Sequence, residues 1–390
     1  MNQNDIVLKN EEKIIFLLRA LYAGFGYRQY KMSKFEEYDL YARNKDFLIS
    51  DNIITFTDTN GKLMALKPDV TLSIVRATRE QAGTVSRVFY DENVYRVSKG
   101  SHAYKEILQT GIECIGDIDA YCVSEVLYLA AKSLQTISGH YLLNISHLGI
   151  VSGLLDELCL SADARREAVR LIGEKNLHEL TALLEKAGTF GENERATESV
   201  KAKSPDGINL TPGGKLLRIL DTTGTPAEVL GTLRECGCDE HSVRELEDLT
   251  ALLESTDAAE HLVIDFSVIN DMNYYNGIVF KGYIEGVPTG ILSGGQYDRL
   301  LRKMGKRAGA IGFAVYMDFL ERFLERDEDH DVDIVLLYGE ETEGQLLFSA
   351  VRQLTGEGYS VSAQKTLPDK LRYSRVMRLN REGVLETVNV

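Results

Sequence analysis

The chain has 390 residues, 44% of them hydrophobic and 26% charged, which is ample for packed cores and leaves room for two or three domains. A formal net charge of −15 argues against a generally basic nucleic-acid binder, and no apolar run approaches the roughly 20 residues of a membrane span. Met1 to Glu12 is polar and mixed in charge, and the five scattered cysteines Cys114, Cys122, Cys159, Cys236 and Cys238 make neither a disulfide framework nor a zinc-site spacing, so a cytoplasmic protein is expected.

Residues Glu11 to Ala23 place Ile14, Leu17, Leu18 and Leu21 at helical spacing, and Gly24 to Gly26 end that run. From Phe47 to Tyr95, short segments rich in β-branched and aromatic residues predict antiparallel strands, broken at Asp58 to Gly61 and at Asp91 to Asn93. A helix is predicted from Ala120 to Ile137, with Val123, Val126, Leu127, Ala130, Leu134 and Ile137 on one face. Between Ser161 and Glu260 strand signals vanish and Ala, Leu, Glu and Arg dominate; Ser161 and Thr225-Pro226 are helix starts, and a helical insertion is expected.

Strand character returns at His261 to Ile269, continues through Tyr274 to Ile284, turns at Glu285-Gly286 and resumes at Thr289 to Ser293, before a predicted helix from Ile311 to Glu325. The acidic run Glu325 to Asp331 reads as a linker, and Val332 to Leu337, Thr342 to Leu354 and Tyr359 to Ala363 as a small βαβ unit. The basic stretch Lys365 to Arg381 interleaves apolar residues at helical spacing and reads as a solvated helix face. The expected organisation is a sheet domain at 1–160, a helical insertion at 161–260, the sheet domain's second part at 261–326, and a short α/β segment at 327–390. Phosphate-binding glycine loops, a nucleophile elbow and a H-E-x-x-H helix are all missing from the sequence, and no metal or cofactor is expected.

Three blocks carry more specific chemistry. Leu66-Lys67-Pro68-Asp69-Val70-Thr71 is, by itself, a turn before a helix with Asp69 or Thr71 as its cap. In the second block, Val88 to Gly116, Tyr95-Arg96 is followed by Gln109-Thr110-Gly111-Ile112-Glu113, and Glu113 alternates with apolar residues on a strand that should be buried. A buried carboxylate is costly unless paired, so an Arg or Lys partner is the plain expectation for it. The third block joins Asn270 to Phe280, with Tyr274 and Tyr275 as flat, hydroxyl-bearing walls, to Ser293 to Asp298, where Gly294 and Gly295 would let a ligand approach the backbone.

In order, spacing and company, these blocks resemble the signatures of class II aminoacyl-tRNA synthetases of the histidyl type, over roughly Glu11 to Arg326. The resemblance implies an α+β fold: a class II synthetase-like antiparallel sheet with flanking helices, a helical insertion and a short C-terminal α/β segment. It also implies that Asp69, Thr71, Gln109, Glu113, Tyr274 and Tyr275 contact histidine, the two carboxylates pairing its ammonium, and that Arg96 is a possible anion-binding residue.

Activation of an amino acid needs cations aimed at the ATP α-phosphate. Of the three arginines the family resemblance leads one to expect, only Arg96 is present; Asn270 and Phe319 stand at the other two positions, and Ser98 replaces an acid. A site kept for binding and stripped of charge for chemistry resembles the regulatory-subunit family that partners short-form ATP phosphoribosyltransferase. That family implies no catalysis by this chain, feedback by L-histidine, and a hetero-oligomer with the catalytic subunit, by resemblance a hetero-octamer, built on a homodimer. About 60 residues at the C-terminus are too few for an anticodon-reading domain, so tRNA binding is not expected. Lys99 to Tyr104 is a candidate lid. Alternatives left open are a divergent active histidyl-tRNA synthetase, a free-standing histidine sensor, and an enzyme using the pocket for another amino acid.

Overall fold

The computed structural model describes residues 10–48, 52–98, 102–190, 210–269, 272, 274–320 and 330–388. It forms two compact units, Ile14–Leu320 and a smaller one comprising Met1–Lys13 with Glu321–Val390.

The first helix, α1 (Asn10–Gly24), buries Ile14, Ile15, Leu18 and Tyr22, whereas Leu17 of the predicted stripe is 56% exposed. The apolar face is thus turned toward Ile15 and Tyr22, the latter hydrogen-bonded through its hydroxyl to Ser133. Short elements follow: β1 (Arg28–Gln29), β2 (Phe35–Glu37), α2 (Tyr38–Ala42), β3 (Thr55–Thr57) and β4 (Leu63–Leu66). Strands β3 and β4 form the predicted hairpin. Asp58 Oδ1 accepts from the amides of Asn60 and Lys62, and Gly61 takes φ 80°, a left-handed conformation suited to glycine.

Helix α3 (Thr71–Ala77) begins where Asp69 Oδ1 accepts from the amide of Leu72 at 2.9 Å, the cap anticipated from sequence. Two thirteen-residue strands, β5 (Val85–Val97) and β6 (Tyr104–Gly116), pair antiparallel along their full length. The predicted break at Asp91 to Asn93 does not occur. Their polar side chains find cross-strand or neighbouring partners instead: Asp91 with Arg19 and Thr110, and Glu92 with the fully buried Lys67.

Helix α4 (Ala120–Ile137) has the predicted bounds and is capped by Asp119, which accepts from Cys122 N at 2.8 Å. After β7 (Tyr141–His147) and α5 (Leu148–Glu157) come the helices of the insertion: α6 (Ala162–Gly173), α7 (Leu177–Lys186), α8 (Pro212–Asp221), α9 (Pro226–Glu235) and α10 (Glu240–Glu254). Ser161 caps α6, and Thr225 with Glu228 forms a capping box on α9, as their residue types dictate.

The sheet resumes with β8 (Leu262–Ile264), β9 (Ile278–Ile284), β10 (Leu292–Gln296), α11 (Asp298–Lys303) and β11 (Gly309–Tyr316). Its order is β1-β5-β6-β11-β10-β9-β7-β8, antiparallel except at its edges, where β1 pairs with β5 and β7 with β8 in parallel. The predicted helix from Ile311 is a strand as far as Tyr316, followed by a short 3₁₀ turn at Met317–Phe319. Inserted between β6 and β10 and buried on both faces, this strand lacks the alternation that would separate it from a helix.

In the C-terminal unit, β12 (Val332–Leu337), α12 (Gly344–Gly356) and β13 (Val361–Gln364) make the predicted βαβ. Lys365 to Arg381 is not a helix face, because Tyr373–Leu379 forms β14, lying between β12 and β15 (Leu385–Val388). Ile334, Leu336, Ala350, Leu354 and Leu379 make that unit's core. Among the described residues, no helix is long and apolar enough to cross a membrane. The five cysteines are unpaired, and three are buried.

Candidate functional site

Register across the large sheet builds a floor of small side chains. One row runs Val279, Gly295, Gly312, Glu113 across β9, β10, β11 and β6, and the next runs Lys281, Ser293, Ala314, Gly111. A Cβ on Gly312 would overlap the Glu113 carboxyl, and one on Gly295 would come within 2.7 Å of the Tyr275 ring. Gly294 faces the opposite side, where a Cβ would meet Phe280 at 2.5 Å and Phe313 at 2.6 Å. The glycine pair was expected to bring a ligand against the backbone; it instead makes room for side chains of the protein, and Gly312 is the glycine beneath the site's acid.

Above this floor lies a cavity of about 430 Å³ that gathers Asp69, Thr71, Arg96, Gln109, Glu113, Tyr274 and Tyr275, every residue singled out as a binding candidate. Glu113 is 2% exposed. Its Oε1 accepts from Thr71 Oγ1 at 2.7 Å and its Oε2 from the Tyr297 hydroxyl at 2.5 Å. The Arg or Lys partner expected for it is not there: among the described residues no cation pairs with Glu113. Burial pushes its carboxyl up to about 8, with the nearby Asp69 adding to the rise and the two hydroxyls opposing it. Near neutral pH the Glu113 carboxyl is therefore largely protonated.

Asp69 is buried beside α3; burial raises its carboxyl, while the amide of Leu72 and the charge of Arg96 act in the opposite direction. Arg96 donates through Nε to the Pro68 carbonyl at 3.2 Å, which holds it on the acidic side of the cavity. Gln109 lies opposite Tyr316 in the register and is buried. Tyr274 and Tyr275 precede β9 rather than belonging to it, with ring centroids 4.6 Å apart and edge-on. Tyr274 also meets Phe47 at 5.9 Å and Tyr297 at 5.7 Å, and burial raises its hydroxyl well above its ordinary range.

Tyr297 and Lys281 also line the cavity and were not singled out from sequence. Tyr297 was legible in principle, as the tyrosine one residue beyond the strand bearing the glycine pair. Lys281 carried no signal, because its role depends on the pairing of β9 with β10.

Phe319 lines the cavity, its ring 5.8 Å from that of Tyr316. Asn270 lies outside the described residues, as do Lys99, Gly100 and Ser101 of the candidate lid and residues 321–329, which hold most of the predicted linker. Two other arginines of the sheet domain do not line the cavity: Arg299 donates to the Met272 carbonyl at 2.8 Å in a neighbouring cleft that shares Tyr275, and Arg307 borders a depression at the end of β6. The cations lining the cavity, among the described residues, are Arg96 and Lys281. No group of three or more His, Cys, Asp or Glu suited to a metal occurs among the described residues. The cavity can neutralise a small cation and orient it with hydroxyls and an amide, but it offers little positive charge to a polyphosphate.

A family model described as histidyl-tRNA synthetase matches residues 7–320. The chain is 28% identical over 342 residues to an ATP phosphoribosyltransferase regulatory subunit of Clostridium kluyveri, covering 85% of this chain and 83% of the relative. It is likewise 28% identical over 310 residues to the protein of the same name from Oceanobacillus iheyensis, covering 79% and 72%. Among solved structures, an ATP phosphoribosyltransferase regulatory subunit/histidyl-tRNA synthetase from Bacillus halodurans matches with TM-score 0.69 and 24% identity over 95% of this chain and 93% of that one. An ATP phosphoribosyl transferase complex from Thermotoga maritima matches with TM-score 0.58 and 18% identity over 81% and 98%. At these identities the structural matches speak for the fold.

Proposed function

The chain belongs to the histidyl-tRNA synthetase family, and we propose that within it the protein is a non-catalytic regulatory subunit of ATP phosphoribosyltransferase that binds free L-histidine. The observation that carries this reading is the asymmetry of the cavity. Two buried acids, Asp69 and Glu113, stand with Thr71, Gln109, Tyr274 and Tyr275, whereas the wall at Phe319 is apolar and neither Arg299 nor Arg307 reaches it. The names borne by the relatives from Clostridium kluyveri and Oceanobacillus iheyensis support the same role.

In this reading an amino acid's ammonium group supplies the countercharge that Glu113 lacks among the described residues, and joins Arg96 beside Asp69. Tyrosine rings flank the imidazole, and Glu113 passes from acid to carboxylate as the ligand enters. Losing one transition-state donor costs roughly a hundred- to a thousandfold in rate, so a wall short of two arginines leaves negligible histidine activation. Feedback follows if histidine prefers one of two states of a complex with the short-form catalytic subunit. A coupling of about 1–3 kcal/mol suffices, and it must act equally from the histidine site on the substrate site and back.

The test is calorimetric titration with histidine and then ATP, an assay of histidine-dependent ATP–pyrophosphate exchange, and turnover of the short-form transferase with and without this chain. The expected results are histidine binding, no exchange, and activation of turnover that histidine reverses. Exchange at a synthetase-like rate would make the protein an aminoacylating enzyme. Histidine binding without any effect on the transferase would make it a sensor for another partner.

A further inference from the structure

Charge is distributed unevenly along the cavity. Its acids stand on α3 and β6, where Asp69 and Glu113 are buried, and Arg96 is held on that same side, against the Pro68 carbonyl and facing Asp69. Lys281 stands on β9, separated from β6 by β10 and β11, about 14 Å away at the usual strand spacing. Between them the row of Ser293, directly opposite Lys281, and Ala314 is small, while the Glu113 carboxyl and the Tyr275 ring lie over Gly312 and Gly295.

Lys281 lines the cavity together with Thr289, Gly290 and Ser293. Its aliphatic stem lies on Gly290, where a Cβ would collide with Lys281 Cε. Among the described residues no carboxylate pairs with its ammonium group, which lies 5.6 Å from the centroid of the Tyr283 ring. The cavity therefore offers, besides its acids, a cation without a carboxylate partner among the described residues; an α-amino acid, whose ammonium and carboxylate share one carbon, engages both only when the lysine stem reaches back over Ser293 and Ala314 toward the acids.

We infer that Lys281 binds the α-carboxylate of the ligand and makes the site selective for the free amino acid over analogues lacking that carboxylate. The inference rests on the proposed histidine site and adds to it the residue that reads the ligand's acid end. A long, flexible ammonium side chain suits this task, since it can leave the Tyr283 ring and reach a carboxylate held over Ser293.

The test is calorimetric titration of the full chain and of Lys281→Met and Lys281→Arg with histidine, histidinol and histamine. Parent protein should bind histidine at least tenfold more tightly than the two analogues. Lys281→Met should lose about ten- to a hundredfold in histidine affinity while binding histidinol and histamine as the parent does, and Lys281→Arg should recover most of the loss. Unchanged histidine affinity in Lys281→Met, or an equal loss for all three ligands, would overturn the inference while leaving the histidine site standing. Parent protein that binds none of the three would remove the proposed function itself.

Discussion

Replacing Glu113 by Gln isolates the cost of burying an acid with no cation. In the folded chain its carboxyl is pushed up to about 8 from an ordinary 4.5, so the folded state keeps a proton that the unfolded chain releases between those values. The folded state then binds more protons than the unfolded one, and stability falls as pH rises through this window. The full span, 8 − 4.5 in pH, corresponds to about 5 kcal/mol at 1.36 kcal/mol per unit, of which about 3 kcal/mol is already lost at pH 7. Glutamine cannot titrate, and its carbonyl can still accept from Thr71 or Tyr297. The variant should match the parent below pH 4 and exceed it by about 1 kcal/mol at pH 5 and about 3 kcal/mol at pH 7, in urea unfolding followed at pH 4, 5, 6, 7 and 8 without ligand. Parallel stability profiles for the two proteins would refute the claim that Glu113 enters the folded state as an acid.

Under the proposed function, the same proton makes histidine binding pH-linked. A ligand ammonium favours the carboxylate, so binding should release up to one proton and strengthen as pH rises toward 8, which calorimetry in buffers of different ionisation enthalpy measures directly; Glu113→Gln should release none and bind weakly. Tyr297→Phe removes a hydroxyl that helps hold Glu113 ionised, so it should move the binding profile to higher pH and cost on the order of tenfold in affinity at pH 7. Gly312→Ala puts a methyl group into the Glu113 carboxyl, and should lower stability by about 1–3 kcal/mol in chemical denaturation and abolish histidine binding.

Much of the architecture was legible where local chemistry and tertiary need coincide. Helix α4 has a strong apolar face and Asp119 as a cap, and the β3–β4 turn has Asp58 and Gly61 doing what their types dictate. Sequence periodicity failed where burial on both faces erased it, as in β11, and where turn-type residues found partners, as Asp91 did with Arg19. It failed again at Lys365 to Arg381, where β14 is held by strands on both sides. The site residues Asp69, Gln109 and Glu113 were readable from motif order. That Glu113 has hydroxyls rather than a cation beside it among the described residues was not, because Tyr297, one of those partners, comes from 184 positions further along the chain.

That separation has a kinetic meaning. The cavity floor exists only when β6, ending at Gly116, has paired with β11, beginning at Gly309, with the helical insertion lying between them in sequence. Contacts so distant in sequence must meet the entropy of closing the intervening chain before they are made. A nascent chain that has not yet emerged through Tyr316 cannot own a finished pocket, however well its earlier strands and helices have folded. A complete cavity is thereby tied to completion of the Ile14–Leu320 unit, and half-made copies do not carry one.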